Sequence, residues 1–361
     1  MTILIFIIVL AVLILAHELG HFLTAKAFGI KVDEFGLGFP PRLVAFKKGE
    51  TEYSLNLIPF GGFVKIEGET VDDSIKPDDR SLVAKPKYVQ AIVLAAGVLF
   101  NFILAWLLLA MTFSLGTMVP VEQYGNSKYF EPKGSFVIDV EPGWPAGEAG
   151  IQANDRLLAI SRDEEKLIEP SHSQLKEFIN QKPTDDVSLS IERQGKELSF
   201  ILTPKPNDQG FAIGVIVGEL GFLKTPIITS LILGFRLTYD FTIYILSSLV
   251  MLLETAIKGA SVFGLVAGPI GIVGLVGEAS ALGFTYLLSF MALISINLAI
   301  INLIPFPALD GGRILFLIIE KIKGSPIPSA WANGLNTLGF VLLLLLMAVI
   351  TYGDISRLLG F

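Results

Sequence analysis

Residues 2 to 15 carry no charged side chain, and the apolar run they begin continues to residue 27, broken among titratable groups only by His17, Glu18, His21 and Lys26. A helix of that length measures about 39 Å, enough to cross a hydrocarbon core about 30 Å thick. Stretches 89–114, 284–304 and 334–352 have the same character. With 52% hydrophobic residues, 17% charged and a mean hydropathy of +0.65, the chain reads as an α-helical polytopic membrane protein with about four transmembrane helices. The first stretch lacks a basic lead-in and a small-residue cleavage site, so a retained span is expected, not a removed signal.

The polar segments fix an orientation. Residues 28–88 alternate in 32–37 and 53–66 around Gly and Pro interruptions, which predicts a β-hairpin loop. Lys31, Arg42, Lys47, Lys48, Lys65, Lys76, Arg80, Lys85 and Lys87 lie there, while the N-terminal tail has no Lys or Arg, so this loop is expected in the cytoplasm. The N-terminus and residues 115–224 then face the other, periplasmic or extracellular, side. Residues 115–224 read as an inserted α+β domain, with short strands at 135–140, 145–150, 155–160 and 187–193 around one helix. Residues 313–333, with Arg313, Lys321 and Lys323, form a cytoplasmic connection before the last span and tail, 334–361.

Residues 225–283 are harder to place. Arg236 and Asp240, four apart, suggest an amphipathic helix, followed by a Gly-rich stretch with Gly268-Pro269-Ile270-Gly271. One crossing here would put Asp310 on the opposite side from His17 and His21. The segment is therefore expected to be interfacial or re-entrant, or to cross twice.

His17-Glu18-Leu19-Gly20-His21 fits H-E-x-x-H, in which histidines at i and i+4 share one helical face and both imidazoles reach one metal ion, with the glutamate beside them as a base. Ionisable groups inside a span are costly unless they serve a site, although a polar cluster that merely packs helices fits the same letters. The chain has no cysteine, so a third ligand must be a histidine or a carboxylate. His172, after Pro170-Ser171 in the inserted domain, reads as a solvated surface residue. Asp310 ends the run Asn302-Leu303-Ile304-Pro305-Phe306-Pro307-Ala308-Leu309-Asp310-Gly311-Gly312, where two prolines and two glycines break the helix at the cytoplasmic end of 284–304. Irregular backbone at membrane depth is tolerated where it lines a cavity, which makes Asp310 the candidate ligand, with a helix cap as its alternative role. His17 sits roughly 22 Å into the first span, in its cytoplasmic half, so the two elements can meet.

These motifs, with Gly97-Val98-Leu99-Phe100-Asn101, Gly61-Gly62-Phe63-Val64-Lys65 and the Gly268 to Gly271 motif, resemble the bacterial RseP-type branch of the site-2 protease family over nearly the whole chain. Residues 136–140, 145–151 and 154–160 similarly resemble a circularly permuted PDZ domain, with room for one such domain where some members carry two. The resemblance implies an intramembrane zinc endopeptidase of the bacterial inner membrane. It implies Zn2+ on His17, His21 and Asp310, Glu18 as catalytic base, and Asn302 as a contact to substrate. Asn101, Gly61 and Gly62 are further candidates for substrate binding or, for Asn101, for holding a ligand. The hairpin loop is expected to lie against the membrane and either to pair with an extended substrate or to act as a plug. Expected partners are the lipid bilayer and single-span membrane proteins, such as anti-sigma factors or remnant signal peptides. The net charge of -7 leaves no basic stripe for nucleic acid. The competing functions are a membrane metal transporter and a scaffold built on the PDZ-like domain.

Overall fold

The structure is a computed structural model that describes residues 1–69, 78–208, 210–259 and 266–359. It divides into two compact units, residues 1–112 with 227–361, and residues 113–226.

The first unit opens with α1 (Thr2–Ala27), β1 (Val32–Lys48), β2 (Thr51–Ile66) and α2 (Lys87–Leu115). The buried residues of α1, Phe6, Val9, Leu13, His17, Gly20 and His21, recur every three or four positions and form one packed face. Both strands bend, so that residues 34–37 of β1 pair with 52–55 on one side and with 62–65 on the other. The result is a small sheet whose outermost segment, 61–66, pairs among the described residues with β1 alone. Lys26 and Arg80 both bind Glu50, at 2.6 and 2.7 Å, tying the sheet's turn to the end of α1 and to the approach to α2. The Arg80 guanidinium and then the Lys26 ammonium hold that carboxyl down to about 2, so the tie stays charged across neutral pH.

The second unit contains β3 (Thr117–Pro120), α3 (Val121–Tyr124), β4 (Phe130–Val140), α4 (Pro145–Glu148), β5 (Arg156–Arg162), β6 (Glu165–Ile168), α5 (His172–Gln181), β7 (Val187–Arg193), β8 (Lys196–Leu202), β9 (Lys205–Asn207), β10 (Gly210–Ala212) and β11 (Val215–Leu223). Its main sheet runs β3-β11-β4-β5-β7-β8, with β6 on β5. α5 starts in a capping box between Ser171 and Gln174, and its Leu175, Phe178 and Ile179 close over a core of Val137, Leu157, Ile160, Leu189 and Ile191. The strand expected at 145–150 is instead the helical turn α4, because Pro145 presets the first helical φ and Ala146 is drawn into the core. His172, exposed as expected, accepts a hydrogen bond from the Val217 amide at Nδ1.

The chain returns to the first unit with α6 (Ile227–Ile257), α7 (Pro269–Leu282), α8 (Phe284–Leu303), α9 (Asp310–Lys323) and α10 (Ser329–Leu359). Among the described residues, α1, α2, α6, α8 and α10 are long and apolar enough to cross a membrane. The molecule is thus a polytopic membrane protein with a β-rich insertion. Where the sequence suggested an amphipathic helix, α6 runs for 31 residues and buries Ser230, Gly234, Thr238 and Ile245, a face of three small residues and one isoleucine.

The Gly268 to Gly271 motif has a structural explanation. Asp354 of α10, 4% exposed, accepts hydrogen bonds from the amides of Gly268 (3.1 Å) and Gly271 (2.8 Å), so its carboxylate caps the N-terminus of α7 from another helix. Arg357 holds the carboxylate at 3.0 Å and also donates to the Val266 carbonyl. Asp354→Ala should cost about 1–3 kcal/mol, since it orphans one buried and one part-buried amide. A lowered unfolding midpoint in detergent checks this, with Asp354→Asn expected to fall in between; unchanged midpoints for both would remove the capping role.

Candidate metal centre

Two helices and a loop bring the titratable residues of the motifs together. His17 and His21 lie one turn apart on the packed face of α1, and Asp310 is the first residue of α9, where the loop from α8 turns back. Asp310 Oδ2 lies 3.2 Å from His17 Nε2 and 3.4 Å from His21 Nε2, and the two Nε2 atoms are 3.2 Å apart. Donor atoms of a tetrahedral zinc site, at about 2.0–2.1 Å from the ion, are separated from one another by roughly 3.3 Å. The triangle therefore has the dimensions of three zinc ligands.

The tautomers point the same way. His21 Nδ1 lies 2.8 Å from the Val93 carbonyl, which can only accept, so Nδ1 carries the proton and Nε2 presents its lone pair. His17 Nδ1 meets the amide of Asn101 at 3.2 Å. With the Asn101 oxygen turned to the ring, Nδ1 donates to it and Nε2 is again a lone pair, the arrangement found behind metal-bound imidazoles. Two such nitrogens and a carboxylate oxygen, all buried, repel one another unless a cation lies between them. The residues fit a zinc ion.

Glu18 is half-buried and shares with His17, His21 and Asp310 a cavity of about 480 Å³. Gly61, Gly62, Asn302, Ala308 and Leu309 also line it. Gly62 is needed for close approach: a Cβ there would lie 2.7 Å from Ile14 and 3.2 Å from Glu18 Cγ, so only glycine lets the 61–66 edge lie against the α1 face that carries Glu18. Arg313, one turn beyond Asp310, pairs with Glu69 just after β2, and both border the cavity.

Asn101, expected either to contact substrate or to hold a ligand, meets His17 and is not among the residues that line the cavity. It is fully buried behind His17, and Ser295 of α8 donates to its backbone carbonyl at 2.8 Å. The Val93 carbonyl, the Glu69–Arg313 pair and the role of Gly97 were not visible as site features. Gly97 faces both imidazoles so closely that a Cβ would overlap them. Its spacing from Asn101, one helical turn, was the available signal that both serve the same neighbours.

The chain matches the model of peptidase family M50 over residues 5–346. It is 36% identical over 345 residues, 95% of each chain, to a protein of Clostridium perfringens named as a candidate zinc metalloprotease. It is 29% identical to the zinc metalloprotease RasP of Geobacillus kaustophilus, with 98% of this chain and 97% of the relative covered. Similarity to the regulator of sigma-W protease RasP of Bacillus subtilis is 28% identity over 99% of both chains.

Proposed function

This chain belongs to peptidase family M50 and is an intramembrane zinc metalloprotease of the site-2 type, and we propose that His17, His21 and Asp310 hold its zinc while Glu18 is the catalytic base. The observation that carries the assignment is the triangle of donor atoms at 3.2–3.4 Å beside a glutamate in one cavity. A bound zinc supplies Lewis acidity toward the attacking water and the peptide oxygen. Glu18 takes the proton of the attacking water and returns it to the departing amine. His21 and His17 are kept in the ligating tautomer by the Val93 carbonyl and Asn101.

A transmembrane helix must unwind before its amide can be attacked, and the 61–66 segment, which lies against the α1 face that carries Glu18 and among the described residues pairs with β1 alone, offers an extended substrate backbone a partner. Asn302 on the cavity wall is placed to meet the same backbone. Exposed Leu43, Val44, Phe46, Leu55 and Leu57 suit the sheet to lie against lipid.

Four crossings, by α1, α2, α8 and α10, account for the contacts of α7. A Cβ at Gly268 would touch Asp354 near the end of α10, and one at Gly277 would touch Thr2 at the start of α1, so both parts of α7 lie at the same end of the bundle. That is the end opposite the basic loop, so the segment between the 113–226 unit and α7 makes no net crossing, as an interfacial or re-entrant segment or a pair of crossings would. The 113–226 unit, read as PDZ-like, faces the periplasmic or extracellular side of the bacterial inner membrane. The name of the Bacillus subtilis relative favours membrane-bound regulators of sigma factors as one substrate class.

Stripping the purified chain with a chelator should release about one zinc per chain and stop cleavage of a single-span substrate, with both restored by added Zn2+. Full cleavage by zinc-free protein would overturn the assignment, and so would undiminished zinc binding by His17→Ala.

A further inference from the structure

The third ligand stands on a loop that does not hold its own shape. Between α8 and α9, Pro305 and Pro307 have no amide hydrogen to offer. The amides of Phe306 and Leu309 bond within the loop, to Ile304 and Phe306 carbonyls at 2.7 and 3.2 Å. Ala308 lies at φ +75°, a left-handed conformation that an L side chain adopts only where its surroundings impose it. Its amide goes outside the loop, donating to Asn336 Oδ1 of α10 at 3.2 Å. One turn further along α10, Gly339 is buried against the same loop, and a Cβ there would run into the Pro307 carbonyl.

We infer that α10 is the clamp that sets Asp310: Asn336 is a positioning residue, which holds Ala308 in its left-handed conformation and so aims the carboxylate two residues on at His17 and His21. The inference rests on the reading of those three residues as zinc ligands. A helix otherwise in contact mainly with its surroundings thereby controls how well the metal is held. Within the loop the Ile304, Phe306 and Leu309 carbonyls accept from other amides and the Pro307 carbonyl faces Gly339, so the acceptor for the Ala308 amide is Asn336. The Asn336 side chain reaches Ala308 with an oxygen on Cγ, so aspartate can replace it and serine, whose oxygen sits on Cβ one carbon short, cannot.

The test is zinc affinity of the full chain in detergent, by competition with a chelator, for Asn336→Leu, Asn336→Ser and Asn336→Asp beside wild type and His17→Ala. Loss of a contact behind a ligand lowers metal affinity by about 10–100-fold, which is the expectation for Leu and Ser, while Asp should stay within about threefold of wild type. Cleavage measured at saturating zinc should recover in Leu and Ser with little change in KM. Should the Leu variant fail to fold, Ser and Asp decide between them. Wild-type affinity in Ser, or equal loss in Ser and Asp, overturns the inference. If His17→Ala also binds zinc as wild type does, it is the ligand assignment that has failed.

Discussion

Glu18→Gln is expected to keep the zinc and to lose cleavage by about 10²–10⁴-fold, the range general acid–base catalysis contributes. Glutamine has the size and shape of the native side chain, so the contact with Gly62 and the cavity wall are preserved. What it loses is the ability to accept a proton from the attacking water. His17, His21 and Asp310 are untouched, so metal content should stay near one per chain. The measurement pairs metal analysis with cleavage of a single-span substrate whose outer domain has been removed, at equal membrane levels of both proteins. A Gln variant that cuts at the wild-type rate removes Glu18 from the chemistry. A variant that loses zinc makes Glu18 part of the metal site, which is what an ion-transporting arrangement of the same residues requires.

The parts of the protein that were legible in the sequence are those set by local rules. Hydrophobic length alone delimited α1, because residues 2–27 have to satisfy one physical requirement, that of spanning hydrocarbon. The i, i+4 spacing placed His17 and His21 on one face, and two prolines with two glycines marked the broken helix from which Asp310 projects. The features that escaped depend on which faces of distant helices meet. The sequence left Asn101 between contacting substrate and holding a ligand, because a polar residue in a span carries no mark of its orientation; the packing of α2 on α1 turns it behind His17. α10 begins at Ser329, five residues before the apolar stretch expected from 334, and hydropathy gave no sign that Asn336 accepts from Ala308, 28 residues away. Likewise Arg236 and Asp240 suggested an amphipathic helix without fixing its extent, and α6 packs as one long helix by a face that includes Ser230, Gly234 and Thr238.

Gly97→Ala should disable the site without adding a charge or removing a ligand. A Cβ at position 97 would lie 2.7 Å from His17 Cε1 and 2.8 Å from His21 Cε1, and closer still to His21 Nε2. Carbon atoms in contact settle at about 3.5–4.0 Å, so α2 must retreat from α1 by roughly an ångström or the imidazoles must turn. Either response breaks the hydrogen bonds that set the rings, from Val93 and Asn101, since both are carried by α2 itself. A displacement of about 1 Å at a reacting centre costs on the order of 10²-fold in rate, and zinc affinity should fall by a similar factor. Alanine is the better helix former by about 0.8–1.0 kcal/mol, so local helix stability works against the loss and cannot cause it. Gly274→Ala in α7, where an added Cβ meets nothing within 4 Å, is the matched control and should behave as wild type. Wild-type zinc affinity and cleavage in Gly97→Ala would mean that α2 can yield at no cost, and the close packing of α1 on α2 would then not be what aims the two histidines at Asp310.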